Sequence, residues 1–285
     1  METSLAVAER LTAYFQDTSP RDWWRGVEGR PNPMGLKGHV FLLGFPRSGT
    51  TMLGQALATH PDVVTLDERE TLADAADALL SGSQGLDRLA TLSAEDQTRF
   101  VDLYWRRVRE AGCDPRGKVF VDKLPMNTLG LPLITKLFPG AKILFLRRDP
   151  RDVVLSCVRR QFVLNPTTYA FLTLDGAAQL YDAVMGLAQI YERTLELNLR
   201  TQGYEALVED FEVQTHAICD FIGLDWTTSL ADFSRRAGQV ATPSSAQIAR
   251  GLSNEGIGVW RRYREQLAPV NALLAPWVER FGYPA

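Results

Sequence analysis

The sequence has little of what redox and metal chemistry needs. Its 285 residues include three cysteines, Cys113, Cys157 and Cys219, widely spaced and in no CxxC pattern. An odd, scattered set argues against a disulfide framework and against a thiolate zinc site, and points to reduced thiols. The three histidines, His39, His60 and His216, cannot build a histidine-rich metal centre, so no metal is expected. Charge of one sign is missing too. The 31 Lys and Arg and 34 Asp and Glu leave a net charge of -3. That excludes bulk attraction to nucleic acid or acidic membranes, so an anionic ligand must meet a local cluster of Arg and Lys. No apolar stretch approaches the ~20 residues of a membrane span. Residues 1–15 alternate charged and apolar side chains as an amphipathic helix does, without the basic start and apolar run of a signal peptide. A soluble, cytoplasmic protein is the expectation.

What is present suits one large domain. Apolar residues make up 45% of the chain and charged residues 23%, ordinary for a globular protein with a well-buried core. Residues 1–37 read as an N-terminal helix and an irregular lead-in rich in Pro, Gly, Trp and Arg. Trp23 and Trp24 would pin that lead-in to the domain; capping the site and a homodimer contact are its alternative uses. Residues 38–285 then form a single domain. Three short apolar runs read as buried strands: residues 39–43, 118–122 and 141–146. Helical patterns follow them over 51–59, 127–138 and 150–162. Further helices are expected over 175–199, around Ile218 and Phe221, and over 263–281, where Pro269 and Pro276 interrupt. Strands alternating with helices of this size imply an α/β fold with a central parallel sheet flanked by helices.

The first strand runs into Gly44-Phe45-Pro46-Arg47-Ser48-Gly49-Thr50-Thr51. Strand, Gly-x-x-x-x-Gly, helix is the layout of a phosphate-binding loop. The glycines let the backbone approach an anion, and the amides and dipole of the helix start face it. A nucleoside triphosphatase carries Lys after the second glycine; here that residue is Thr50, and a cation, Arg47, sits inside the loop. Such a loop suits a shorter anion with positive charge at its terminal group. Incidental glycines in a strand-turn-helix are the alternative. A second anion site follows the third strand, in Arg147-Arg148-Asp149-Pro150. Asp149 is a good N-cap and Pro150 suits the first helical position. Ser156 and Arg160 are four apart, hence on one helix face, and Arg148 can converge on the same side. Solvated arginines paired with Asp149 and Asp152 are the alternative.

With these motifs in order, the chain resembles the sulfotransferases that use 3′-phosphoadenosine-5′-phosphosulfate (PAPS), nearest to a bacterial branch akin to tyrosylprotein sulfotransferases. The likeness runs from about Val40 to Tyr263. Its strongest elements are Phe45–Thr51, Asp122–Asn127, Arg148–Ser156 and Trp260-Arg261-Arg262-Tyr263. The resemblance implies a P-loop-containing nucleotide hydrolase-like three-layer fold. It implies that Arg47, Ser48, Gly49, Thr50 and Thr51 hold the 5′-phosphosulfate and that Arg148, Ser156 and Arg160 hold the 3′-phosphate. Tyr204 matches a nucleotide-contacting tyrosine, and residues 244–253 match a loop that closes over the nucleotide. Relatives carry Lys or Arg just before Trp260. This chain has Val259, with Arg261 or Arg250 as substitutes.

The reaction so implied moves a sulfuryl group from PAPS to a hydroxyl, leaving adenosine 3′,5′-bisphosphate (PAP). Glu68, in Thr65-Leu66-Asp67-Glu68-Arg69-Glu70, aligns with the family's catalytic base; Asp67 and Glu70 are competitors that spacing alone does not separate. Lys123, at the end of a buried strand, is costly unless it faces a cleft or a partner. Either it pairs with a carboxylate such as Asp122 or, as the resemblance implies, it joins Arg47 in stabilising the leaving oxygen and sulfuryl oxygens. Ser244 aligns with an assisting serine. A kinase-like enzyme and a non-catalytic PAP-binding scaffold are the other functions weighed. The acceptor, a small molecule, a glycan or a peptide tyrosine, is not named by any motif; its contacts are expected in residues 71–96, 162–174 and 235–243.

Overall fold

The computed structural model describes residues 2–18, 23, 34–235 and 254–285. In chain order the α-helices and strands are α1 (Ser4–Phe15), β1 (Gly38–Gly44), α2 (Thr50–Leu57), β2 (Val63–Asp67), α3 (Ala73–Leu79), α4 (Gly82–Ala90), α5 (Ala94–Glu110) and β3 (Val119–Lys123). They continue as α6 (Leu131–Leu137), β4 (Lys142–Arg147), α7 (Pro150–Val158), α8 (Leu174–Thr194), β5 (Leu199–Gly203), α9 (Tyr204–Glu209), α10 (Phe211–Ile222), α11 (Arg264–Leu267) and α12 (Asn271–Arg280). The strands form one parallel sheet in the order β2-β3-β1-β4-β5.

β1 is the central strand because both of its faces are apolar. Phe41 and Leu43 enter one core with Phe120, Ile143 and Phe145, under α1, α5 and α8. Val40 and Leu42 enter the opposite core with Val121 and Leu144, under α2 and α10. Alternate residues of a strand face opposite ways, so a run buried on both sides needs helices on both sides. The three-layer α/β architecture expected from the sequence is the one observed.

Several boundaries differ from the sequence expectation, each for a local reason. The 127–138 pattern divides into a 3-10 turn at Pro125–Thr128 and α6, with Gly130 at the break. The 150–162 pattern stops at Val158, so Arg160 lies past the helix end rather than on the same helix face as Ser156. The 175–199 helix ends at Thr194, because Leu199–Gly203 is taken up by pairing with β4. β2 and β5 are edge strands whose polar content hid them. At the C-terminus a 3-10 turn at Ala268–Val270 separates α11 from α12, and Pro276 sits inside α12.

The N-terminal helix packs on its own chain. Phe15 meets Trp23 and Tyr191 edge to face, with ring centroids 4.8 and 5.1 Å apart. Trp23 is buried, and its carbonyl accepts from Lys136 Nζ. Trp24, Ser244 and Arg250 lie outside the described residues, as do most of the 235–243 and 244–253 segments. No helix among the described residues is long and apolar enough to cross a membrane. No cluster of three or more His, Cys, Asp or Glu fit to hold a metal occurs among them.

Candidate functional site

The C-terminal ends of β1, β2, β3 and β4 bring the candidate residues to one edge of the sheet. In a parallel α/β sheet this is the edge where ligands bind. Gly44 ends β1 with φ 150°, and a Cβ there would stand 2.6 Å from the Leu146 carbonyl oxygen, so the loop leaves β1 pressed against β4. Thr128 Oγ1 donates to the Gly44 carbonyl at 3.0 Å and anchors that exit. Gly49, at φ 100°, precedes α2 as its N-cap. A Cβ there would lie 2.4 Å from Tyr204 Cδ2, so the tyrosine ring rests directly on the loop. Ser48, Thr50 and Thr51 are buried along the helix start.

Two non-glycine residues among those described have positive φ: Arg47 (73°) and Glu68 (50°). Such conformations are strained for L-residues and persist where surrounding structure enforces them, often at functional sites. Arg47 Nε donates to Ser156 Oγ at 3.0 Å. Its guanidinium is pushed down to about 10, chiefly by burial and further by Arg160 and Arg148 nearby, against the opposing pulls of Cys157 and, more weakly, Glu68. It stays cationic at neutral pH. Three cations thus gather around one loop although Arg160 has left the helix, and their mutual repulsion is relieved by an anion.

Arg148 is buried, yet its hydrogen bonds go to neutral carbonyls. Nη1 donates to Arg47 O at 3.0 Å and Nη2 to Gly256 O. Its guanidinium carbon lies 4.7 Å from the Tyr204 ring centroid. Its buried Nε has no hydrogen-bond partner among the described residues. The carboxylates that were the alternative partners make their hydrogen bonds elsewhere, although Asp152 feels the Arg148 charge. Asp149 caps α7 through Arg151 N and pairs with the Arg151 guanidinium at 2.8 Å. Asp152 accepts from the Gly258 and Trp260 amides at 2.6 and 2.8 Å. Arg151 and Arg261 flank the Trp260 ring at 3.5 and 5.2 Å. Arg261 is folded over Gly258, two residues beyond the Gly256 carbonyl that Arg148 holds.

On the other side of the loop, Lys123 is fully buried at the end of β3. Its Nζ lies 2.9 Å from Glu68 Oε1 and 3.2 Å from Asp67 Oδ1. The partners are therefore the two carboxylates at the end of β2, not Asp122. Register explains the choice. Asp67 pairs with Lys123 across the parallel ladder, whereas Asp122 points to the opposite face. There Asp122 Oδ2 accepts from Thr71 Oγ1 at 2.6 Å and from Tyr104 OH at 2.8 Å, and Tyr104 OH bonds His39 Nε2 at 2.9 Å. Burial pushes the Asp122 carboxyl up to about 6, against those two donors and Lys123. Through Thr71, Asp122 ties down the far end of the turn that carries Glu68. Neither Asp67 nor Thr71 has a sequence signal for these contacts; only the β2–β3 register creates them.

Arg47 and Glu68 both line a cavity of about 750 Å³, with Thr50, Thr51 and Asn127. Its remaining wall comes from residues 70–77, 124–129 and 161–171, and from Ser4 of α1. Two of the three segments expected to contact an acceptor, 71–96 and 162–174, thus contribute to it. Ser4 Oγ is 2.7 Å from Thr167 Oγ1, so α1 closes one side.

The model of the sulfotransferase family matches residues 39–228, two thirds of the chain. The chain belongs to the sulfotransferase family. An Aquifex aeolicus protein described as uncharacterized is 26% identical over 90% of this chain, which spans 35% of that protein's length. Protein-tyrosine sulfotransferase A of Caenorhabditis elegans is 22% identical over 86% of this chain and 67% of its own length. The solved sulfotransferase domain of the Synechococcus PCC 7002 olefin synthase superposes with a TM-score of 0.58 and 25% identity, over 82% of this chain and 91% of that one. The sheet, loop and family match agree on a P-loop-like α/β fold.

Proposed function

We propose that this protein is a PAPS-dependent sulfotransferase acting on a hydroxyl acceptor. The observation that carries the reading is the convergence of Arg47, from within the phosphate loop, and Glu68, from the turn after β2, both at positive φ, on one cavity. One supplies a cation, the other a carboxylate, and the loop that carries Arg47 is built for an anion.

In this reading the loop amides, Ser48, Thr50 and Thr51 hold the 5′-phosphosulfate. Arg148 and Ser156, with Arg160 at the exposed edge, hold the 3′-phosphate; the Arg148 Nε that lacks a partner among the described residues is a donor suited to it. Tyr204 packs against the nucleotide side of Gly49. Ser244 and Arg250 are assigned by resemblance to the nucleotide-closing loop. The acceptor oxygen attacks sulfur in line. Glu68 takes the hydroxyl proton, and the bond from sulfur to the 5′-phosphate oxygen breaks with its electron pair on that oxygen, giving a sulfate ester and PAP. Arg47 and Lys123 neutralise charge on the sulfuryl and departing oxygens, which is positioning and electrostatics rather than covalent catalysis. Lys123 can serve because its present partners are the base itself and Asp67, so its charge lies within reach of the reacting group. No step requires a metal.

Thermal unfolding tests the nucleotide assignment. PAP at 100 times its dissociation constant is expected to stabilise the protein by about 2.7 kcal/mol, and ATP with magnesium to give little shift. Stabilisation by ATP with magnesium but not by PAP would sink the reading in favour of a kinase-like enzyme.

A further inference from the structure

With the site read as that of a sulfotransferase, a reading on which the acceptor class rests, the cavity carries information about the acceptor. Leu72, Met126, Phe162 and Phe171 supply an apolar wall beyond Glu68. Among the described lining residues the one cation is Arg47, which bonds Ser156 on the nucleotide side. The lining also carries the carboxylates Glu70 and Asp77; Arg107, which feels the Glu70 charge, is not among the lining residues. An acceptor with negative charge near its hydroxyl would meet like charge there.

The rim adds a separate observation. Four of the five exposed large apolar side chains among the described residues fall in one short segment: Val163 (88% exposed), Leu164, Tyr169 and Leu172. Val163 also lines the cavity. The segment is not loose. Asn165 Oδ1 accepts from the Thr167 and Thr168 amides at 2.9 Å, Thr168 Oγ1 donates to Val163 O, and Ser4 holds Thr167. A braced turn that displays apolar groups beside the apolar wall of a cavity has the character of a binding surface.

We propose that the acceptor is an uncharged alcohol or phenol on an extended apolar chain, with its hydroxyl at Glu68 and its chain running along Phe162 and Phe171 to the 163–172 rim. The experiment uses the whole chain with labelled PAPS, a series of 4-alkylphenols from methyl to octyl, and a tyrosyl peptide flanked by glutamates. The expected kcat/KM rises about fourfold for each methylene buried, and the acidic peptide falls at least tenfold below 4-octylphenol. A rate that is flat in chain length, or an acidic peptide that outperforms octylphenol, overturns the proposal. Leu164→Glu is expected to lower the octyl-to-methyl ratio about tenfold; an unchanged ratio removes the rim from the site. Binding of the same phenols is read in parallel by titration calorimetry without nucleotide. If PAP fails to stabilise the protein and no phenol is sulfated, the sulfotransferase reading falls. Chain-length-dependent binding would then still show that the cavity and rim take an apolar-chain ligand, and its absence overturns the proposal independently of the reaction.

Discussion

The two sides of the phosphate loop solve opposite electrostatic problems. On the β4 side Arg148 is held by carbonyl oxygens, Arg47 Nε donates to the Ser156 hydroxyl, and Arg160 lies close enough to add repulsion. On the β2 side Lys123 sits between two carboxylates and the charge is satisfied internally. We read the first arrangement as a site for an anion. The second is a compact set of charges that can redistribute when a reacting group arrives. Binding should therefore depend on the β4 side and turnover on the β2 side.

The largest effect that would sharpen this division is at Glu68. Glu68→Ala is expected to lower kcat about 100- to 10,000-fold while PAP still raises the unfolding temperature as in the unaltered chain. Retained turnover would remove Glu68 as base, and lost PAP binding would erase the contrast between the sides. Next is the brace behind Glu68. The Asp122 carboxyl is raised to about 6 by burial, above the unfolded value of about 3.9. The folded state thus holds this proton more tightly, and its contribution to stability is lost as pH rises from about 4 to about 6. Across that window the native chain should lose up to about 3 kcal/mol relative to Asp122→Asn, measured by chemical denaturation at each pH. Parallel curves for the two proteins would show that the brace is not titrating.

On the β4 side, Arg148→Ala should weaken PAP about 10- to 100-fold, the size of a lost charge-assisted hydrogen bond. Adenosine 5′-phosphosulfate, which lacks the 3′-phosphate, should lose far less by calorimetry. Equal losses would move Arg148 away from the 3′-phosphate. The smallest effect is expected at Gly49, where a Cβ would meet Tyr204 and φ is 100°. Gly49→Ala should cost about 1–3 kcal/mol in unfolding free energy. Adding Tyr204→Ala should restore part of it, because the clash is relieved and the backbone strain is not. No recovery in the double variant would place the whole cost in the backbone.

Much of this was legible in the chain. β1, β3 and β4 are apolar on both faces, and such runs admit few readings once glycines and helical patterns follow them. The loop from Gly44 to Thr51 was legible because backbone requirements are written directly as residue types. The edge strands were not, since Val63–Asp67 and Leu199–Gly203 carry polar residues and become strands only by pairing with a neighbour. The end of α7 before Arg160 was equally hidden, because no Gly or Pro marks it.

The sequence by itself determined the glycine loop with its internal Arg47, the cation-rich turn after β4, and the parallel sheet that presents both. Each depends on local backbone chemistry or on short-range periodicity. Only the tertiary structure decided which carboxylates meet Lys123, because a parallel register sets Asp67 beside it and turns Asp122 toward Thr71 and Tyr104. The same structure gathered residues from α1, the turn after β2 and the 161–171 segment into one cavity. Side chains more than a hundred residues apart become neighbours through packing, and no local pattern records that.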